Sequence, residues 1–187
     1  MAPGPDWRDS LRLMCLFMST PRLLWRVFLC ALLLMGAALP VAAQSVILVR
    51  HAERADTAAG QAPDMAADPE LSAEGRARAE RLASMLKGAD IRAIFVTQFR
   101  RTQQTAAPLA AALGLTPTVI RADDQAALLA QLRTVKGHVL VVGHSNTVPA
   151  ITAELSGTTP VAIADDDFGN LWIVGASGMP RVLRLRY

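Results

Sequence analysis

Four side chains suited to phosphoryl chemistry stand where apolar runs end. Arg50 and His51 follow Val46 to Val49, Arg101 lies five residues beyond the run Ile94 to Val96, and His144 follows His138 to Val142. Guanidinium forks match the oxygens of a phosphoryl dianion in bidentate fashion. A neutral imidazole, with an unperturbed pKa of about 6.5, can attack phosphorus through one nitrogen while the other donates to a backbone carbonyl. His51, beside Arg50 at a strand end, is the better nucleophile. His144 would then stabilise the charge that spreads over the equatorial oxygens in the transition state. Taken alone, RHAE also fits a solvated ion pair between Arg50 and Glu53 with a loop histidine between them. The grouping of two arginines and two histidines at three strand exits favours a phosphate pocket.

The elements that must position these groups alternate from residue 45 to 156. After the first strand comes a loop, Asp56 to Leu71, rich in Ala, Asp, Gly and Pro and long enough to act as a flap. Ser72 caps a helix that runs to about Lys87, with Ala79, Leu82, Ala83 and Leu86 on one face and Glu74 four residues before Arg78. A second strand at Ile94 to Val96 leads into an Ala-rich helix that ends at Gly114, with Pro108 inside it. A third strand lies near Thr118 to Ile120. Asp123 and Asp124 open a further helix, His138 to Val142 is the strongest strand, and a helix runs from about Thr147 to Leu155. Leu171 to Val174 and Val182 to Leu185, around Gly178, form a hairpin. The expected fold is a single three-layer α/β/α domain with a mostly parallel sheet and an antiparallel C-terminal hairpin. In such sheets ligands bind at the carboxyl ends of the strands, and helices starting near Arg101 and Thr147 add their N-terminal dipoles there.

The first 43 residues are read separately. Arg22 and Arg26 precede the uncharged run Val27 to Leu39, and Pro40 to Ala43 supply small residues ahead of Gln44. That is a signal peptide, with cleavage after Ala43 and export to the periplasm or medium. A start at Met18 would give a more typical leader. The apolar run would reach about 20 Å as a helix, short of a bilayer core of roughly 30 Å, so no permanent membrane span is expected once it is cleaved. Both cysteines, Cys15 and Cys30, lie in this leader. Residues 44–187, the expected catalytic domain, therefore have no thiol chemistry, disulfide or Cys-ligated metal. Four of the 19 Lys and Arg and two of the 16 Asp and Glu precede Gln44, leaving 15 cationic against 14 anionic side chains. No nucleic-acid partner is implied by that balance.

The motifs resemble those of the histidine phosphatase superfamily, with its phosphoglycerate mutase-like fold. Leu48 to Glu53, LVRHAE, resembles the RHG-type signature; Arg101 to Ala106, RTQQTA, resembles the R-A-x-x-T-A segment; Val141 to Pro149, VVGHSNTVP, resembles the second histidine motif. The resemblance implies a phosphohistidine on His51 and a phosphate pocket of Arg50, Arg101 and His144, with no metal and no cofactor. It leaves Arg100 as a surface charge. Ala52 stands where many members have Gly, Thr97 where they often have Ser, and Gln98 where they often have Pro. Larger members carry their acidic proton donor on an insertion that this chain largely lacks. Glu53, Asp123 and Asp124 are the candidates for that role, each with a plain structural alternative as a cap or surface charge. His138, Ser145 and Asn146 are assigned to structure or to ordering of the turn, although Ser145 and Asn146 could also donate to phosphate.

Three other functions are weighed. A serine hydrolase using Ser145 lacks the last glycine of G-x-S-x-G, where Thr147 stands, and has no later histidine. A metal site of His51, Glu53 and His144 conflicts with two inward arginines, because cations repel. A phosphate- or phosphoprotein-binding module without turnover is the alternative of another class. The expectation is an exported phosphomonoesterase acting on a phosphorylated small molecule or a phosphoprotein.

Overall fold

The computed structural model describes residues 44–58, 68–175 and 182–187. The leader, the middle of the Asp56 to Leu71 loop and the Gly178 turn lie outside the described residues. Contacts divide the chain into two units, Met1–Val41 and Ala42–Tyr187, and the sheet and its helices belong to the second.

The central runs Val46 to Val49 and Val139 to Val142 are apolar and buried on both faces, which is what a sheet covered on both sides requires. β1 (Ser45–Arg50) and β4 (His138–Gly143) pair in parallel in the centre, with Arg50 opposite Gly143. β2 (Ile91–Val96) and β3 (Thr118–Val119) continue the parallel sheet beyond β4. On the other side, β5 (Asn170–Gly175) pairs antiparallel with β1, and β6 (Val182–Arg186) pairs antiparallel with β5. The order is β3-β2-β4-β1-β5-β6. The C-terminal hairpin is thus laid against β1, which places the first strand inside the sheet.

Period-two alternation sends the two sets of side chains to different helices. Ile47, Val49, Ile94, Val96, Leu140 and Val142 pack with α2 (Ala73–Leu86) and α3 (Arg100–Leu113), whose core contacts include Leu82, Leu86 and Leu109. Val46, Leu48, Phe95, Val139 and Val141 pack with α4 (Gln125–Leu132) and α5 (Thr147–Ser156) through Leu128, Leu132, Val148 and Ile151. A short helix, α1 (Ala55–Ala58), succeeds β1; the elements α1 to α5 complete the described helices.

Helix starts show how the sequence places the loops. Ser72 caps α2 by accepting from the Gly75 N–H at 3.0 Å. α3 has no such cap of its own, since Phe99 occupies the position; Asp68 instead accepts from the Arg100 N–H, at 3.1 and 3.0 Å to its two oxygens. A carboxylate from the return of the flap loop therefore satisfies an orphan donor of α3. α3 runs on through Pro108 and closes on Gly114, whose φ of 65° suits a residue without Cβ. Among the described residues no helix is long and apolar enough to cross a membrane.

Candidate active site

The carboxyl ends of β1, β2 and β4 open into one cavity of about 530 Å³. Arg50, His51, Arg101 and His144 all line it, joined by Arg54. Its outer part is bounded by Phe99, Ala122, Asp123, Ser145, Asn146 and Thr147, and by Asp165.

His51 is fixed by backbone. Its N–H donates to the Gly143 carbonyl at 2.9 Å, extending the β1–β4 ladder by one step. Its Nδ1 lies 2.8 Å from the Ala52 carbonyl, an acceptor only, so Nδ1 carries the proton and Nε2 keeps its lone pair. Burial above all holds its pKa far below the ordinary histidine value; the Ala52 hydrogen bond opposes this and is outweighed, with His144, Arg101 and Arg50 adding to the depression. The His144 ring lies edge-on, 5.4 Å between centroids at 63°. Burial, then Arg101, Arg50 and Arg54, pushes the His144 pKa down to about 4. Both imidazoles are thereby neutral at pH 7.

The RTQQTA segment anchors both histidines as well as supplying Arg101. Thr105 Oγ1 accepts from the Ala52 N–H at 3.0 Å and donates to the Arg101 carbonyl at 2.7 Å. Thr102 Oγ1 lies 2.9 Å from Thr97 Oγ1, which lies 3.0 Å from His144 Nε2. One turn of α3 thereby orients the loop after β1 and the ring after β4.

The two pocket arginines are placed for an anion that their protein partners do not replace. Arg101 is 0% exposed, with its guanidinium 4.2 Å over the Phe99 ring and Nη1 at 3.4 Å from Asp68 Oδ1. Its Nε and Nη2 are buried without a hydrogen-bond partner, and so is Nε of Arg50. Arg50 lies 4.2 Å over Phe168 and donates from Nη1 to the Ala164 carbonyl at 2.7 Å. Burial works against the charge on both, and three donors on these two desolvated cations, which line the cavity, have no protein partner.

The three candidate acids part company. Glu53 points away from the cavity: Arg78 donates to both its oxygens from Nε, at 2.8 and 2.9 Å, and from Nη2 to Oε1. Burial, the largest single influence, would raise the Glu53 pKa, but the Arg78 hydrogen bonds, a backbone hydrogen bond and the charges of Arg78 and Arg81 together outweigh it and lower the pKa. Asp124 caps α4 through the Ala127 N–H at 3.0 Å and does not line the cavity. Asp123 does line it, though both its oxygens are held by Arg121 at 3.0 and 2.7 Å. The expected Glu74–Arg78 pair is secondary, at 3.8 Å; Arg78 serves chiefly Glu53 and also donates to the Tyr187 carbonyl at 3.0 Å.

Of the remaining residues, His138 opens β4 with no place in the cavity, and Arg100 is exposed and paired with Glu70. Ser145 and Asn146 line the mouth. Arg54, buried and 3.1 Å from Asp56, lines the cavity although its motif position gives it no role; its spacing four residues after Arg50 is the one sign of it in the sequence. Among the described residues no three His, Cys, Asp or Glu side chains converge as a metal set.

Residues 46–125 match the family model for the histidine phosphatase superfamily (branch 1). No curated protein matches the sequence. Among solved structures, the chain is similar to the mycobacterial glucosyl-3-phosphoglycerate phosphatase complexed with VO3, at 17% identity and a TM-score of 0.58, over 74% of this chain and 96% of that one. It is similar to the protein histidine phosphatase SixA complexed with tungstate, at 24% identity and a TM-score of 0.58, over 76% and 96%. It also resembles phosphoserine phosphatase from Entamoeba histolytica in complex with 3-phosphoglyceric acid, at 16% identity and a TM-score of 0.59, over 77% and 97%. At such identities the likeness shows the fold, the phosphoglycerate mutase-like α/β domain.

Proposed function

We propose that the chain is a member of the histidine phosphatase superfamily, branch 1, whose family model matches residues 46–125, and that it is an exported phosphomonoesterase working through a phosphohistidine on His51. The observation that carries this reading is the set of three orphan donors, Arg50 Nε, Arg101 Nε and Arg101 Nη2, buried beside an imidazole whose Nε2 is unprotonated. A phosphoryl group held by both arginines supplies the acceptors that their protein partners do not and brings its own negative charge to offset their burial. His51 Nε2 then attacks phosphorus, the ester P–O bond breaks, and the leaving oxygen takes a proton. Water cleaves the P–N bond in the second step. A bound dianion also draws a proton toward His144, which turns that ring into a cation beside the equatorial oxygens.

Export rests on the leader alone, with Arg22, Arg26 and the run Val27 to Leu39 ahead of Ala43. The substrate is a phosphomonoester or a phosphoprotein. By their names, the three structural neighbours act on a phosphorylated sugar derivative, a protein phosphohistidine and phosphoserine, and these three classes form the substrate panel.

The test is hydrolysis of p-nitrophenyl phosphate with chelator present, together with acid-stable versus acid-labile phosphoenzyme after rapid quench. The expected result is turnover with an acid-labile phosphoenzyme, both lost in His51→Ala. Undiminished turnover in that variant refutes the assignment. A pocket that binds vanadate without any turnover identifies a binding module instead.

A further inference from the structure

The phosphatase mechanism needs a proton at the leaving oxygen, and none of Glu53, Asp123 and Asp124 is both inside the cavity and unengaged. We propose that Asp165 supplies it, an assignment that rests on the phosphatase reading. Asp165 lines the cavity next to Arg50. Among the described residues its carboxylate has no hydrogen-bond or ion-pair partner, whereas Asp123, the other carboxylate lining the cavity, is held by Arg121. Asp123 is gripped by Arg121, Asp56 pairs with Arg54, and Asp68 bonds the start of α3 and faces Arg101.

The backbone around Asp165 is pinned on both sides, so the free side chain is also a positioned one. Ile163 is buried in the core, and the Ala164 carbonyl takes Arg50 Nη1 and the Asp167 N–H. The Asp167 carboxylate is bound by Arg186 at 2.9 Å and Arg184 at 3.3 Å, and Phe168 lies under the Arg50 guanidinium. The charged groups around Asp165 are Arg50, with Arg54 deeper in the cavity, Asp123 at the mouth, and its neighbours Asp166 and Asp167.

Asp165 lines the same cavity that holds the phosphoryl group on Arg50, and the reacting form is the one in which its carboxyl carries a proton. As the His51 Nε2–P bond forms and the P–O bond breaks, the Asp165 proton passes to the leaving oxygen, giving a neutral alcohol. Water then attacks the phosphohistidine; the P–N bond breaks, and dihydrogen phosphate and free His51 are released, with no further part for Asp165.

Leaving-group dependence tests this, because an aryl oxygen leaves without protonation and an alkyl oxygen does not. Asp165→Asn is compared with the unmodified protein on p-nitrophenyl phosphate and on an alkyl phosphate. The expected loss is about 10²-fold or more on the alkyl ester and under about threefold on the aryl ester; retained aryl turnover also shows that the variant is folded. Equal loss on both esters makes Asp165 a support for Arg50 only, and a selective alkyl loss in Asp123→Asn moves the role there. Either result overturns the proposal. If the unmodified protein hydrolyses neither ester, the phosphatase reading itself has failed. If it hydrolyses both through His51 while Asp165→Asn matches it on both, only the proton-donor assignment falls.

Discussion

Replacing Arg101 by Met should make the ligand-free protein more stable and the phosphate-bound protein less so. Arg101 is fully buried with two N–H groups unpartnered, and each such group costs about 1–3 kcal/mol. Methionine keeps an unbranched apolar stem over Phe99 and removes both orphans. It forfeits the cation–π contact at 4.2 Å, worth about 1–2 kcal/mol. It also forfeits the 3.4 Å pair with the partly exposed Asp68, worth about 1 kcal/mol or less. Middle values leave a net gain of about 2 kcal/mol, or a rise in Tm of about 4–10 °C for a domain of this size. Inorganic phosphate reverses the order, since a ligand at a hundred times its Kd stabilises by about 2.7 kcal/mol and the variant has lost most of its affinity. Thermal melts of both proteins, with and without phosphate, should therefore cross. A variant that melts below the parent without phosphate, yet gains the same increment with it, would show that the guanidinium is a structural cation and that the anion binds elsewhere.

Two further outcomes rest on the same geometry. A Cβ at position 75 would lie 2.2 Å from the Glu53 carbonyl oxygen, so Gly75→Ala forces α2 away from the loop that carries His51. A stability loss of about 1–3 kcal/mol with reduced turnover is expected in urea titrations and steady-state assays, and an unchanged protein would mean that the two segments do not touch. The second outcome concerns acid. His51 and His144 both have folded pKa values below their unfolded value, so their contribution to stability is complete above about pH 6.5 and is lost as the pH falls toward the His144 value of about 4. With two protons taken up on unfolding, the stability should fall by up to about 2.7 kcal/mol per pH unit in that window. Saturating phosphate should flatten the slope, and a flat profile without phosphate between about pH 6.5 and 5 would contradict the buried neutral pair.

The fold was legible because the central strands are apolar on both faces and the helices announce their ends. Val46 to Val49 and His138 to Val142 read as buried strands, and Ser72, Gly114 and Asp124 mark helix termini by local chemistry. The positions of Arg50, His51, Arg101 and His144 at strand exits come from that alternation. What stayed hidden depends on contacts between distant segments. Arg78 fits a helix-surface pair with Glu74 until tertiary packing brings Glu53 within reach. Asp68 gives no local sign that it caps α3, because the capped helix starts 32 residues later. Asp123 looks like a free helix-start carboxylate until Arg121 is seen to fold back on it. The place of Asp165 beside Arg50 shows only once Arg50 is seen to bond the Ala164 and Asp167 carbonyls on either side of it.

The step-for-step pairing of Arg50 with Gly143 has an evolutionary reach. Because the two imidazoles hang one residue past neighbouring rungs of a single ladder, their spacing is inherited from backbone repeat distances rather than tuned by side chains. The loops that border the mouth can then be exchanged, lengthened or recharged to suit new leaving groups without recalibrating the attack on phosphorus. Divergence in such a chain should accumulate at the rim while the reacting pair stays put.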